Sequence, residues 1–480
     1  PHLTGTAMLE HYGIAPGSAL AYALSSADFT ALARSYGRLG GVDRLATVVA
    51  AVRAERPDNT LLLDGGDTWQ GSYTALASSG ADMVRVMNAL GVDAMTAHWE
   101  FTYGDARVRE LIESLDFPLL AANVFDTEWD EPVFESTAFF ERGGVKVAVI
   151  GQAFPYTPIA NPRYKIPQWS FGVRETALRE TVAAARAAGA GLVVLLSHNG
   201  FDVDRKLAGR VDGIDVILTG HTHDALPAVV EVGRTLLVAS GSHGKFLSRL
   251  DLDVGPQGVR DYRYRLMPVF ADAITPAPAM SSLVADIRTP HAALLARELA
   301  TTETLLYRRG NLNGTWDDLI CQALRAERDA EIALSPGFRW GASLLPGAAI
   351  TVEDVYNQTA ITYPEAYRST MSGAQLKLVL EDVADNLFNP DPYYQQGGDM
   401  VRSAGIRYRL RVAAPRGERI ENLVRAHDGA PIEPARDYVV SGWASVNEGV
   451  EGPPVYDLVS RWLDAQEAVA IAPGAAVELV

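Results

Sequence analysis

Four apolar, β-branched runs in the first half of the chain each stop at a polar turn that delivers a histidine or an aspartate. Thr60-Leu61-Leu62-Leu63-Asp64 leads into Gly65-Gly66-Asp67-Thr68, and Gly91-Val92-Asp93-Ala94-Met95 runs to Ala97-His98-Trp99-Glu100. Gly191-Leu192-Val193-Val194-Leu195-Leu196 leads into Ser197-His198-Asn199-Gly200, and Asp215-Val216-Ile217-Leu218-Thr219 into Gly220-His221-Thr222-His223. Such runs read as short buried strands, and the glycines let the backbone turn sharply at their ends. Loops at the carboxyl ends of strands in an open α/β sheet converge on one crevice. Four of the chain's nine histidines therefore meet an aspartate there.

Between these runs the apolar spacing turns helical. Leu45, Val48, Val49 and Val52 repeat at i, i+3, i+4 and i+7, and residues 81–90, 105–115 and 174–188 read the same way. Strand and helix alternate at short intervals, which predicts crossover units and a layered, largely parallel sheet. Further strands are expected at 118–123, 145–151 and 236–240. The last ends in Gly241-Ser242-His243-Gly244-Lys245, so His243 is a candidate to line the same crevice.

At 480 residues the chain is long enough for two or three domains. The boundaries expected are 1–280 for a metal-binding domain, with 1–36 an irregular excursion, 281–306 for a helical linker, and 307–480 for a smaller domain. The smaller domain carries His427 as its one histidine, which leaves the chemistry to the first domain. A net charge of −17 opposes nucleic-acid binding, and no apolar run reaches the roughly 18 residues of a membrane span. The single cysteine, Cys321, excludes a disulfide framework and a thiolate-rich metal site. It falls in a helical pattern with Leu319, Ile320 and Leu324 and reads as a buried structural thiol.

Histidine and aspartate without cysteine suit borderline to hard divalent ions, with Mn, Fe and Zn ahead of Cu or Ca. The carboxylate of Asp67 has two oxygens and can bridge a pair of ions, which together lower the pKa of a trapped water and stabilise charge on phosphoryl or sulfuryl oxygens.

Gly66-Asp67, the His98 region, Ser197-His198 and Gly220-His221-Thr222-His223, in that order, resemble the motifs of the calcineurin-like metallophosphoesterases. Gly40-Gly41 followed by Arg44-Leu45-Ala46-Thr47 resembles the 5′-nucleotidase branch, as does the second half of the chain. The resemblance implies an α/β/β/α sandwich followed by a smaller α+β domain. It implies that Asp67 bridges two metal ions, that His98, His198 and His221 complete one site, and that His223 joins the other. The family also draws an Asp-x-His pair from its first strand; none precedes Gly40 here, and the expectation is that the sequence starts after that strand.

Two departures redirect the function. Nucleotidases carry a motif resembling Gly-Asn-His-Glu-Phe-Asp, whose histidine assists the leaving group; here Ala97-His98-Trp99-Glu100-Phe101-Thr102 puts an indole, Trp99, in that place. Residues 443–454 lack the nucleotidases' Gly-Gly-Asp-Gly stretch. His98-Trp99-Glu100 together with Tyr394-Gln395-Gln396-Gly397-Gly398-Asp399 resembles the SoxB-type thiosulfohydrolases of bacterial sulfur oxidation. That resemblance implies hydrolysis of a cysteine S-sulfonate on the mobile C-terminal arm of a carrier protein (SoxYZ), a dimanganese centre and a periplasmic location. Trp99 and Arg339 are then the candidate catalytic positions. Arg339, Trp340, Tyr393, Tyr394, Arg402 and His243 are the candidates for binding substrate.

Overall fold

A computed structural model describes residues 3–308, 310–338, 341–474 and 476–480. They form two units, one of Gly5–Gln70 with Ala77–Pro290, the other built on His291–Val480 with Gly71–Leu76.

Eight strands of the first unit carry its layers: six of the seven expected and two at 137–142 and 230–232 that were not, while residues 118–123 make only isolated bridges at Leu119 and Leu120. The eight are β1 (Leu63–Asp64), β2 (Ala94–Met95), β3 (Thr137–Arg142), β4 (Val145–Gln152), β5 (Leu192–Ser197), β6 (Val216–Thr219), β7 (Val230–Val232) and β8 (Thr235–Ala239). Strands β4, β5, β6 and β8 run parallel in one six-stranded sheet, with β3 and β7 antiparallel at its edges. Strands β1 and β2 pair parallel in a small second sheet.

Alternation along the strands decides the layers. Val147, Val149, Leu192, Val194, Leu196, Val216 and Leu236 share an apolar cluster with Ala94, Leu120, Leu61 and Leu63, which is the interface between the two sheets. The intervening Ala148, Ile150, Val193, Leu195, Ile217 and Leu237 are buried on the opposite face, where the helices Glu175–Ala187 and Phe201–Ala208 contact the sheet. Outside the small sheet, helices Val42–Glu55, Ala81–Leu90, Asp105–Glu113 and Pro278–Arg288 close a second cluster around Val49, Met87, Val108, Leu111 and Met95. The unit is an α/β/β/α sandwich.

The register places the site. Gln152 pairs with Ser197, Ser197 with Thr219, and Thr219 with Ala239, so the loops beginning at His198, Gly220 and Ser240 leave from one edge.

Two further expectations are corrected. The described part of the stretch 1–36 is not irregular: it holds the helices Gly5–Tyr12, Ala19–Leu24 and Phe29–Tyr36. Each is too short to show a long apolar period. Tyr22 stacks on Tyr36 with ring centroids 5.9 Å apart, and Ser18 caps the second helix. The helix expected from Ser281 spans Pro278–Arg288, and a 3-10 turn at Thr289–His291, where Pro290 breaks the hydrogen-bond ladder, and a short helix Ala292–Leu295 continue it. Residues Glu298–Thr302 already form a strand of the second unit.

The second unit is α+β. A four-stranded mixed sheet joins Tyr367–Ser372, Asp437–Gly442, Ile332–Gly337 and Asp399–Ala404. The helix Thr315–Glu327 packs against it and buries Cys321, and the helix Gly373–Phe388 starts at a capping box of Ser372 and Gln375.

Candidate metal centre

Each ligand candidate stands where its backbone has left regular structure. Asp67, His221 and His223, and with them the substrate-binding candidate His243, have positive φ, at 63°, 71°, 57° and 60°. Non-glycine residues seldom occupy that region, and when they do the strain is commonly held at a functional site. Gly66 and Gly220 make the crowding possible. A Cβ on Gly66 would lie 2.9 Å from the Thr96 carbonyl oxygen and 3.1 Å from His198 Nδ1; one on Gly220 would lie 3.1 Å from the same nitrogen.

The side chains converge. His98 Nδ1 lies 3.0 Å from Asp67 Oδ1, His198 Nε2 lies 3.0 Å from Asp67 Oδ2, and the two nitrogens are 3.3 Å apart. His221 completes a group whose ligand atoms all lie within 4.8 Å of one another. His223 Nε2 stands 3.9 Å from Asp67 Oδ2, and the His243 ring lies edge-on to His223 at 5.9 Å. With metal–ligand bonds of about 2.1 Å, neighbouring ligand atoms are about 3.0 Å apart in an octahedron and about 3.4 Å apart in a tetrahedron. The 3.0–3.3 Å separations among Asp67, His98 and His198 fall in that range, so these residues fit a divalent ion, with His221 close enough to join them.

The electrostatics agree. Burial pushes the Asp67 carboxyl up, but the His198 and His98 imidazoles outweigh it and hold the group well below the usual carboxylate range. Burial dominates at His98, lowering its pKa and favouring the neutral ring that a metal requires. At His198 Asp67 and the Gly65 carbonyl oxygen overcome burial and raise the pKa; it is the geometry, with Nδ1 on the Gly65 oxygen, that turns Nε2 toward Asp67 and the ion.

Residues that sequence reasoning did not assign complete the cradle. Glu100 is fully buried, and its carboxylate accepts the backbone N–H groups of Asp67, Thr68, Trp69 and His98. Burial, then the charge of Asp67, raises its pKa. Asp204 accepts from Ser197 Oγ and Asn199 Nδ2, one on each side of His198, and burial pushes its carboxyl up to about 6. Asn161 Oδ1 lies 3.0 Å from His98 Nε2, and Phe154 stacks on His221 at 4.0 Å. Only Glu100 had a sequence signal, its place in the His98 motif; nothing local marks Asn161 or Asp204.

Trp99 enters through its main chain, its N–H donating to Asp67 Oδ1 at 3.1 Å, while its ring meets the edge of His98. Tyr393 and Tyr394 form a short 3-10 turn in the second unit, with Tyr394 67% exposed. Arg402, expected to bind substrate, is 2% exposed and is paired inside the second unit with Asp317, which it shares with Arg308, and with Asp399, while donating to the Gly310 carbonyl oxygen. Arg339 and Trp340 lie outside the described residues.

Compared with known proteins, residues 298–458 match the family model "5′-nucleotidase, C-terminal domain". The 5′-nucleotidase of Rattus norvegicus is 33% identical over 195 residues; the match spans 39% of this chain and only 33% of that enzyme's length. The structure of the sulfate thiohydrolase SoxB from Thermus thermophilus, in complex with glycerol, superposes with a TM-score of 0.96 and 39% identity, covering 100% of this chain and 90% of that one. The chain belongs to the SoxB family of hydrolases. A 5′-nucleotidase precursor from the same organism shares the fold at a TM-score of 0.79 and 22% identity, covering 92% of this chain and 94% of that one. That likeness is one of fold, and it extends over both units of the chain. No helix among the described residues is long and apolar enough to cross a membrane.

Proposed function

We propose that the chain is a dinuclear metallohydrolase that releases sulfate from a cysteine S-sulfonate or S-thiosulfonate on a sulfur-carrier protein in the periplasm. The observation that carries the reading is Trp99, which stands where the nucleotidases place their leaving-group histidine, beside a ligand cluster of Asp67, His98, His198 and His221. Asp67, His98, His198 and His221 would hold one ion and Asp67 with His223 would help hold a second, manganese ahead of zinc or iron. Such ions supply a water acidified toward neutral pH and positive charge for the sulfonate oxygens.

In the net reaction the water oxygen joins the sulfonate sulfur and the S–S bond breaks. Its electron pair leaves with the carrier's sulfur as a thiolate or persulfide, sulfate departs, and two protons pass to solvent. Nothing is oxidised or reduced overall. A thiol, with an ordinary pKa near 8.5, leaves as an anion without the proton that an alkoxide requires. The indole of Trp99 therefore costs this reaction little, whereas a nucleotidase would lose its acid. Glu100 and the Trp99 N–H keep Asp67 oriented in the meantime.

A second reading, phosphomonoester hydrolysis, draws on the identity to the rat enzyme. Manganese-loaded protein assayed for sulfate release from a carrier S-sulfonate and for phosphate release from AMP separates the two. Sulfate release with little phosphate is expected; strong AMP turnover without sulfate release refutes the proposal.

A further inference from the structure

A neutral imidazole carries one N–H, and only its other nitrogen can bind a metal. Which nitrogen of a ligand histidine is bare is therefore set by what the opposite edge of the ring touches. His198 settles this with a main-chain group, the Gly65 carbonyl oxygen at Nδ1. His98 is turned the other way: Nδ1 faces Asp67 and His198, so Nε2 must keep the proton.

The competition at His98 is real. Asp67 Oδ1 sits 3.0 Å from Nδ1 and, being charged, attracts a ring proton more strongly than a neutral acceptor does. Left alone, this pairing favours a proton on the nitrogen that the ion needs. Among the described residues, the polar group facing the other ring nitrogen is Asn161 Oδ1, 3.0 Å from Nε2.

Asn161 is fixed independently of that contact. It is buried, and its backbone N–H caps the short helix Thr157–Ala160 by donating to the Thr157 carbonyl oxygen. Thr157 Oγ1 in turn donates to the Phe154 carbonyl oxygen, and the Phe154 ring stacks on His221. One short segment, 154–161, thus braces two of the ligand imidazoles.

We infer that Asn161 is a positioning residue whose side-chain oxygen holds the His98 proton on Nε2 and so presents Nδ1 to the metal. The inference rests on reading the cluster as a metal site, not on the identity of the substrate. Partners of this kind typically contribute 10- to 100-fold in metal affinity, and a carboxylate serves as well as an amide oxygen.

The test is equilibrium Mn²⁺ and Zn²⁺ binding to the purified protein and to two variants, Asn161→Leu and Asn161→Asp, with circular dichroism of the metal-free forms to confirm folding. N161L removes the acceptor at similar volume and is expected to bind about 10- to 100-fold more weakly; N161D keeps an oxygen there and is expected to stay near wild type. Nitrogen NMR of the zinc-loaded, histidine-labelled protein is expected to show the His98 proton on Nε2. Unchanged affinity in N161L, equal losses in N161L and N161D, or a proton on Nδ1 each overturns the assignment. Wild-type protein that binds neither ion removes the metal site itself, which distinguishes that failure from failure of Asn161 alone.

Discussion

Replacing Glu100 by glutamine tests how the cradle is held. Oε1 accepts the N–H of Thr68 at 2.6 Å and of Trp69 at 3.3 Å; Oε2 accepts that of His98 at 2.8 Å and of Asp67 at 3.3 Å. Glutamine converts one of these oxygens into an amino group that points donors at donors. Two buried N–H groups then lose their acceptor at about 1–3 kcal/mol each, partly offset because a buried charge beside Asp67 disappears. A net loss of about 3 kcal/mol is expected, which lowers the melting temperature by roughly 6–12 °C for a unit of this size. The loops that carry Asp67 and His98 also loosen, so Mn²⁺ affinity should fall at least about tenfold. Calorimetry of the metal-free protein and then manganese titration read the two effects separately. A Glu100→Gln variant that melts within about 2 °C of wild type and binds manganese equally well refutes the argument that this carboxylate organises the ligand turns.

Three further outcomes are expected. Arg402→Ala removes a buried cation paired with Asp317 and Asp399 and leaves Asp317 to Arg308, so it should destabilise the protein by about 3 kcal/mol with metal binding unchanged; a raised KM at full stability would instead make Arg402 a substrate contact. Asp204 has a folded-state pKa raised by burial to about 6 from an ordinary 3.8, so its contribution to stability is present below that ordinary value and is lost as pH rises through about 6. Across that window wild type should lose up to about 3 kcal/mol relative to Asp204→Asn, and denaturant melts of both at pH 4 and pH 7 measure it; a difference that does not move with pH contradicts the burial argument. Trp99→His restores an imidazole beside the cluster and should raise AMP hydrolysis relative to sulfate release, measured as a ratio of kcat/KM values; an unaltered ratio means that the missing acid does not set the preference.

What the sequence disclosed follows from short-range patterning. β-branched runs ending in glycine and polar turns located Asp67, His98, His198, His221 and His223, because strand periodicity and turn chemistry are local and the parallel register then brings their ends to one edge. Residues whose role depends on a distant partner stayed hidden. Asn161 lies in a coil after Pro158, and only the tertiary fold brings it to His98. Arg402 follows a stretch rich in tyrosine and glycine and reads as a substrate contact; the structure puts it in the strand Asp399–Ala404 and pairs it with Asp317, from a helix far back in the chain. The helices within residues 1–36 were missed for a different reason: six or eight residues show too few turns for a periodic signal.

The central claim is that Asp67, His98, His198 and His221, whose ligand atoms already lie within 4.8 Å of one another, bind a transition-metal ion. Anomalous diffraction at the manganese edge, from crystals of the manganese-loaded protein, addresses it most directly. The expected map has a strong peak within about 2.3 Å of Asp67 and of the three imidazoles, with a second near His223; a map with no peak there, or with the ions bound elsewhere on the molecule, contradicts it.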